Sequence, residues 1–293
     1  MLTLRGSMVA LVTPFRAGEV DEQGFRAFVR WQLDQGTDGL VPAGTTGEGA
    51  TLSAEEHAKV VRICVEEAKG RAPVIAGCGS NSTRTTIENV KRAREAGADA
   101  ALVVTPYYNK PTQAGLFLHF EAVAKEGGLP VVLYNVPSRT AVDLAAETVA
   151  RLAKVPGIVA IKEASGQIAR VAEIRSAGAD QLVILAGDDM FALPVMAMGG
   201  QGVISVVGNV APADLAMLCD AFADGNLEAA RNAQIRFAPL VKALFCESNP
   251  IPVKYALGKM KRASAELRLP LCPISPEGAA KVDQALLDYG GLI

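Results

Sequence analysis

Ile158-Val-Ala-Ile-Lys162-Glu163 sets four apolar residues in a row and then two opposite charges. An antiparallel strand with one wet face alternates apolar and polar residues. An unbroken apolar run is buried on both faces, which is the habit of parallel sheets. This run has companions along the chain, centred on Met8–Leu11, Gly39–Pro42, Val74–Gly77, Ala101–Val104, Val131–Leu133, Val183–Leu185 and Val203–Val206. Each ends in glycine or polar residues, and neighbours are spaced by the length a βα unit needs.

Between the runs the period changes to that of a helix. Ser53-Ala-Glu-Glu56 has the form of a capping box, and Val60, Val61, Cys64 and Val65 continue it as an apolar stripe. Thr83 to Ala96 reads as another helix stopped by Gly97, and Phe117, Phe120, Val123 and Ala124 make the next stripe. Eight strand–helix units in succession fit an open doubly wound sheet or a closed barrel. No G-x-G-x-x-G follows the first strand, which disfavours the dinucleotide-binding open sheet. The expected class is therefore α/β, a (β/α)8 TIM barrel. After a helix at about Ala211 to Asp224 the strand pattern stops. Three helices are predicted there, over Leu227 to Phe245, Val253 to Lys261 and Pro276 to Tyr289, with Asn249-Pro-Ile-Pro252 punctuating the first gap. The predicted organisation is a catalytic barrel over residues 1–225 and a C-terminal helical domain over 226–293.

Composition agrees. Half of the 293 residues are hydrophobic but only 5% are aromatic, so the core must be aliphatic, as layered barrel interiors are. The 29 basic and 31 acidic residues are dispersed, which excludes the clustered basic face of a nucleic-acid binder and points to a small-molecule partner. Met1 to Phe15 lacks the pattern of a signal peptide, and no apolar run approaches the ~18 residues of a membrane helix. A soluble, cytoplasmic protein is expected. Cys64, Cys78, Cys219, Cys246 and Cys272 are scattered and odd in number, and read as small hydrophobes in a reducing compartment. His57 and His119 stand singly in predicted helices, so no metal site is expected.

A barrel of this kind keeps its chemistry at the C-terminal ends of the strands. Lys162 is the lone base on a strand that should be buried, where the neutral, nucleophilic amine becomes accessible for a Schiff base with a keto acid. The other readings are a lysine that snorkels to solvent or pairs with Glu163. Tyr134, ending Val131-Val-Leu-Tyr134, either relays protons, with Thr45 as a partner, or packs its ring and leaves its hydroxyl wet. Tyr107 and Tyr108 take opposite sides if their strand continues. Gly44-Thr-Thr-Gly47 offers amides and hydroxyls to a carboxylate, or is only a turn. Arg139, after Pro137, either grips a second carboxylate in bidentate fashion or lies on the surface.

Taken together, Val12-Thr-Pro-Phe15, Gly44-Thr-Thr-Gly-Glu48, Thr105-Pro-Tyr-Tyr108, Tyr134-Asn-Val-Pro-Ser-Arg-Thr140, Ile161-Lys-Glu-Ala-Ser165, Gly187-Asp-Asp189, Gly202-Val-Ile-Ser205 and Asn249-Pro-Ile-Pro-Val-Lys254 resemble the dihydrodipicolinate synthase and N-acetylneuraminate lyase family, end to end. The resemblance implies that pyruvate forms a Schiff base on Lys162, with no cofactor, and that its enamine attacks L-aspartate 4-semialdehyde. It assigns Thr45 and Thr46 to the pyruvate carboxylate, and Tyr134, Thr45 and the neighbouring subunit's copy of Tyr108 to proton relay. Arg139 falls to the semialdehyde carboxylate, and Gly187 and Ile204 to the pocket wall. A homotetramer follows, a dimer of tight dimers with Tyr107 packed at the tight interface.

Some members bind lysine at that interface. Asn81, Tyr107 and His57 match such a site, but Gly49, Ala54 and Thr85 stand where lysine-sensitive relatives carry serine, histidine and glutamate. Weak or absent lysine inhibition is expected, because the effector's ammonium loses an anionic partner. Two rival functions share these residues. One is a sister aldolase acting on N-acetylneuraminate or a 2-keto-3-deoxy sugar acid, disfavoured by Arg139. The other is a keto-acid-binding protein without turnover, disfavoured by the intact constellation.

Overall fold

The computed structural model describes residues 2–290. Eight of its strands are Gly6–Ala10 (β1), Gly39–Val41 (β2), Ile75–Gly77 (β3), Ala100–Val104 (β4), Val131–Asn135 (β5), Ile158–Glu163 (β6), Val183–Ala186 (β7) and Gly202–Ser205 (β8). All pair in parallel in the order β2-β1-β8-β7-β6-β5-β4-β3. A bridge between Leu40 and Val74 joins the two ends, so the sheet closes.

Closure divides the side chains by parity, since successive residues on a strand face opposite sides. Met8, Val41, Ile75, Leu102, Val132, Tyr134, Ala160, Leu185 and Ile204 pack together inside the barrel. Val9, Val103, Leu133, Ile161, Ile184 and Val203 belong instead to the layer between sheet and helices. That outer layer is covered by helices Glu22–Asp34, Ala54–Ala68, Thr83–Glu95, Gln113–Gly127, Ala146–Leu152, Ala169–Ser176, Ala192–Ala197 and Pro212–Ala223, one after each strand. The capping box forms as predicted: Ser53 accepts from the Glu56 amide, and the Glu56 carboxylate accepts from the Ser53 amide. The stop at Gly97 also holds, with that glycine at φ +92°.

Several details differ from expectation. The strand before Tyr107 stops at Val104, with Pro106 two residues on, and Tyr108 adopts φ 72°. The two tyrosines therefore do not take opposite faces of a continuing strand. β5 and β6 run one or two residues further than their apolar cores, which brings Asn135 and Glu163 into the sheet. A small antiparallel pair, Phe15–Arg16 with Glu19–Val20, was not visible in the pattern.

The C-terminal helices span Leu227–Leu244, Ile251–Lys259 and Pro276–Gly290. The second begins two residues before the predicted start. Pro252 sits in the first turn, where its missing N–H has no intrahelical partner to lose, so it opens the helix instead of delaying it. That helix also ends early, since Lys261 is left-handed at φ 55°.

Arg268, beyond these turns, ties the C-terminal segment to the barrel. Its guanidinium bonds Glu56, at 2.8 Å to Oε2, and the Thr51 carbonyl at 3.1 Å. The Arg268 hydrogen bond is the main cause that holds the Glu56 carboxyl down at about 2, from an ordinary 4.5, against the opposing effect of burial. A depressed carboxylate stabilises the fold above its unfolded pKa and loses that contribution as pH falls through the folded one. The melting temperature should therefore fall as pH drops from 4.5 toward 2, and Arg268→Gln should lower it at neutral pH and flatten this acid slope. Parallel curves for the two proteins would count against the linkage.

Candidate active site

In the β5–β6 ladder Tyr134 pairs with Lys162, and Asn135 with Glu163. Barrel parity then sends the first pair inward and the second outward. Lys162 is 5% exposed and its Nζ lies 4.5 Å from the Tyr134 ring centroid. The alternative of a lysine paired with Glu163 is not what forms. Glu163 Oε1 accepts from the Ser165 amide at 2.6 Å and Oε2 from Asn135 Nδ2 at 3.1 Å, on the far side of the sheet. Nor does Lys162 snorkel to solvent, because its strand end lies inside the barrel mouth.

Gly187 follows β7 and leaves room for that lysine. A Cβ there would stand 3.0 Å from Lys162 Cγ and Cε and 2.7 Å from the Ala164 methyl. Ile204, fully buried, packs in the same inner cluster as Tyr134.

Above them opens a cavity of about 550 Å³, lined by Thr45, Tyr107, Tyr134, Arg139 and His57 among the residues singled out in the sequence. Lys162 is not itself on that wall but lies against Tyr134, which is. Thr46, Gly187, Ile204, Asn81 and Tyr108 are likewise off the lining. Thr46 is buried behind Thr45, its hydroxyl accepting from Asn249 Nδ2 at 2.9 Å. The turn closes on itself through Glu48 N to the Thr45 carbonyl and Gly49 N to the Gly44 carbonyl, both 3.1 Å. Gly47 is required there, since a Cβ would come within 2.9 Å of the Leu11 carbonyl.

Arg139 rides a four-residue helix, Pro137–Thr140, and its exposed guanidinium donates to the Asn249 carbonyl at 3.1 Å. Asn249 thus touches one residue assigned to each carboxylate, Thr46 and Arg139, while its own Oδ1 is buried with no partner among the described residues. Tyr107 is 39% exposed at the cavity rim, and Tyr108 is 89% exposed. His57 Nε2 lies 2.7 Å from the Gly77 carbonyl, which makes Nε2 the donor. Burial holds the His57 imidazole below its ordinary pKa. The Asn81 carbonyl accepts from Asn109 Nδ2 at 2.8 Å. Among the described residues His119 bonds only Thr83, and burial takes it down to about 4, as befits a packed helix residue. Cys78 reaches the cavity wall, but burial pushes its thiol up to about 12, far from a nucleophile's range.

Two features were not assigned a role from the sequence. One is Lys254, whose Nζ meets Glu48 Oε1 at 2.6 Å and the Thr13 carbonyl at 2.8 Å with both side chains buried. Its trace in the sequence is a lysine between Ile251 and Leu257, on the apolar stripe of its helix. The other is the network behind β5 and β6. Asn135 donates to Asp143 at 2.8 Å and to Glu163, and accepts from the Leu144 amide at 3.0 Å. Arg170 then grips Asp143 at 2.8 Å. Burial pushes the Glu163 carboxyl above its ordinary range, against the hydrogen bonds from Ser165 and Asn135.

The family model described as Dihydrodipicolinate synthetase family matches residues 3–288. A 4-hydroxy-tetrahydrodipicolinate synthase from Syntrophobacter fumaroxidans is 52% identical over 287 residues, which are 98% of this chain and 99% of that one. The dihydrodipicolinate synthase of Aquifex aeolicus superposes with a TM-score of 0.95 at 44% identity, covering 98% of each chain. A chloride-inhibited dihydrodipicolinate synthase from Acinetobacter baumannii, solved with pyruvate, gives 0.96 at 45% identity, over 99% of this chain and 100% of that one. A monomeric dihydrodipicolinate synthase variant gives 0.95 at 42%, over 99% and 97%. No helix among the described residues is long and apolar enough to cross a membrane.

The Asn135 network makes its own prediction. Asn135→Leu keeps the branched shape but removes the three hydrogen bonds and strips partners from Asp143 and Glu163. Denaturant titration should show a loss of about 2–4 kcal/mol. A change under about 0.5 kcal/mol, the usual effect of a surface substitution, would mean that the network holds nothing together.

Proposed function

The chain belongs to the dihydrodipicolinate synthetase family, and from that premise we propose that it condenses pyruvate with L-aspartate 4-semialdehyde to give 4-hydroxy-tetrahydrodipicolinate, through a Schiff base on Lys162. The observation that carries this reading is Lys162 itself. It is held off solvent against Tyr134, with no carboxylate among the described residues bound to it, and Tyr134 lines the cavity together with Thr45 and Arg139. A lysine not sequestered in an ion pair is available as a nucleophile.

The Thr45-Thr46 turn binds the pyruvate carboxylate, and Nζ attacks the keto carbon, which loses its oxygen as water. Removal of a methyl proton gives the enamine, whose terminal carbon bonds to the aldehyde carbon of the semialdehyde. Tyr134 passes protons in these steps through Thr45 and Tyr108. Arg139 pairs with the semialdehyde carboxylate. The semialdehyde's amino group then displaces Nζ from the former keto carbon, closing the ring and freeing Lys162. Gly187 and Ile204 shape the wall around the lysine, and no cofactor takes part.

In this reading residues 1–225 are the catalytic barrel domain and 226–293 the helical domain of a cytoplasmic homotetramer. Tyr108 belongs to the neighbour's site and Tyr107 to the interface between them. The exposure of Tyr108 and its absence from its own cavity support that role. Asn81 and His57 would border an effector cleft there, but the carboxylate of Glu48 is committed to Lys254, and Thr85 offers none. Calorimetry with lysine should accordingly show weak or no binding.

The direct test is borohydride reduction with and without pyruvate, followed by peptide mapping. A reduced pyruvyl adduct is expected on Lys162 and absent from Lys162→Ala. An adduct on another lysine would sink the mechanism. Tyr134→Phe should lower kcat by about 10²–10⁴-fold, the usual value of a positioned proton carrier. Arg139→Met should raise the KM for the semialdehyde and leave that for pyruvate nearly unchanged.

A further inference from the structure

The wall that carries Thr45 is built by two parts of the chain far apart in sequence. Glu48 and Lys254 are 206 residues apart, yet their side chains are 1% and 0% exposed and meet at 2.6 Å. Nζ also donates to the Thr13 carbonyl at 2.8 Å and lies 4.3 Å from the Phe15 ring centroid. The second oxygen of Glu48 accepts from the Arg268 amide at 3.1 Å. Burying two charges costs desolvation that their attraction roughly repays, and an apolar pair of similar volume often serves stability as well. Stability alone is thus a weak reason for this pair.

A fixed position is a better one. Glu48 stands at φ 52°, left-handed and not glycine, and its amide closes the turn on the Thr45 carbonyl at 3.1 Å. Thr13, the other acceptor of Lys254, donates its hydroxyl to the Gly47 carbonyl at 2.7 Å. Lys254 is therefore fastened to the turn twice, directly at Glu48 and through Thr13 at Gly47. Arg139 hangs instead from the carbonyl of Asn249.

We propose that Lys254 is a positioning residue for pyruvate: through Glu48 and Thr13 it sets the Thr45-Thr46 turn at the height from which a bound carboxylate presents its keto carbon to Lys162. Lys254 touches no substrate. The inference rests on the Schiff-base reading of Lys162 and concerns the first substrate only.

The test compares the full chain with Lys254→Met, Lys254→Arg and the double variant Glu48→Gln/Lys254→Met. Three quantities are read: the pyruvate concentration that half-saturates borohydride trapping at Lys162, the KM for the semialdehyde, and the melting temperature. Lys254→Met alone leaves a buried carboxylate uncompensated, so the double variant, which removes both charges, is decisive. It should fold cooperatively, need about tenfold or more pyruvate, and keep the semialdehyde KM within about twofold. Lys254→Arg should recover part of the pyruvate affinity. A folded double variant with native half-saturation overturns the proposal, as does an equal rise for both substrates, which marks general loosening. A double variant that does not fold also overturns it, because the pair is then a requirement of the fold. A wild-type chain that yields no Lys162 adduct removes the Schiff-base reading as well. A wild-type adduct with unaltered variants removes only this inference.

Discussion

Closing a parallel sheet on itself imposes a rule that the rest of the molecule obeys: each strand residue faces either the barrel interior or the helices, with nothing between. At the C-terminal rim the rule becomes chemical. Two adjacent polar residues on one strand are sent to opposite environments, and two residues in register on neighbouring strands are sent to the same one. Lys162 and Tyr134 meet inside because of it, and Glu163 and Asn135 meet outside. The outer pair joins Asp143 and Arg170 in a polar brace that fastens β5 to β6 at the level where the inner pair stands. The inner face can stay sparsely bonded and reactive because the outer face is densely bonded.

Two buried lysines, one on a barrel strand and one on a C-terminal helix, have contrasting surroundings. Lys254 has a carboxylate, a carbonyl and an aromatic face around its ammonium. Burial pulls its pKa down, and Glu48 opposes that pull. Lys162 has a phenol ring and a glycine chosen to leave it space. The first is a strut held by an ion pair, and the second has no ion pair among the described residues. Position marks Lys162 as a strand-end base and Lys254 as a helix residue, but the ion pair that occupies Lys254 is visible only in its partners.

This explains which parts were legible in advance. Strand runs without alternation and helices with clear stripes were readable because period is a local property, and the capping box at Ser53 was readable for the same reason. Lys162 stood out as the lone base ending such a run. Where a rule was applied at the wrong place the expectation moved: Pro252 was read as a helix interruption when it sits in the first turn. The opposite sides expected of Tyr107 and Tyr108 held only if their strand continued, and it stops at Val104. Asn135, Asn249 and the Glu48–Lys254 pair could not be assigned from pattern, because their meaning lies in contacts made across tens to hundreds of residues.

That long separation also dictates an order of assembly. A chain made from its N-terminus completes all eight strands by Ser205, well before Lys254 exists. Until then the carboxylate of Glu48 has no counter-ion to bury beside, and water is its better partner. Until Lys254 is made, the threonine turn has only its own backbone bonds and Thr13 to hold it. Closing a contact over 206 residues adds a loop entropy that only late, cooperative packing repays. On the positioning proposed for Lys254, a nascent barrel would hold Lys162 in place before the turn that serves it is set.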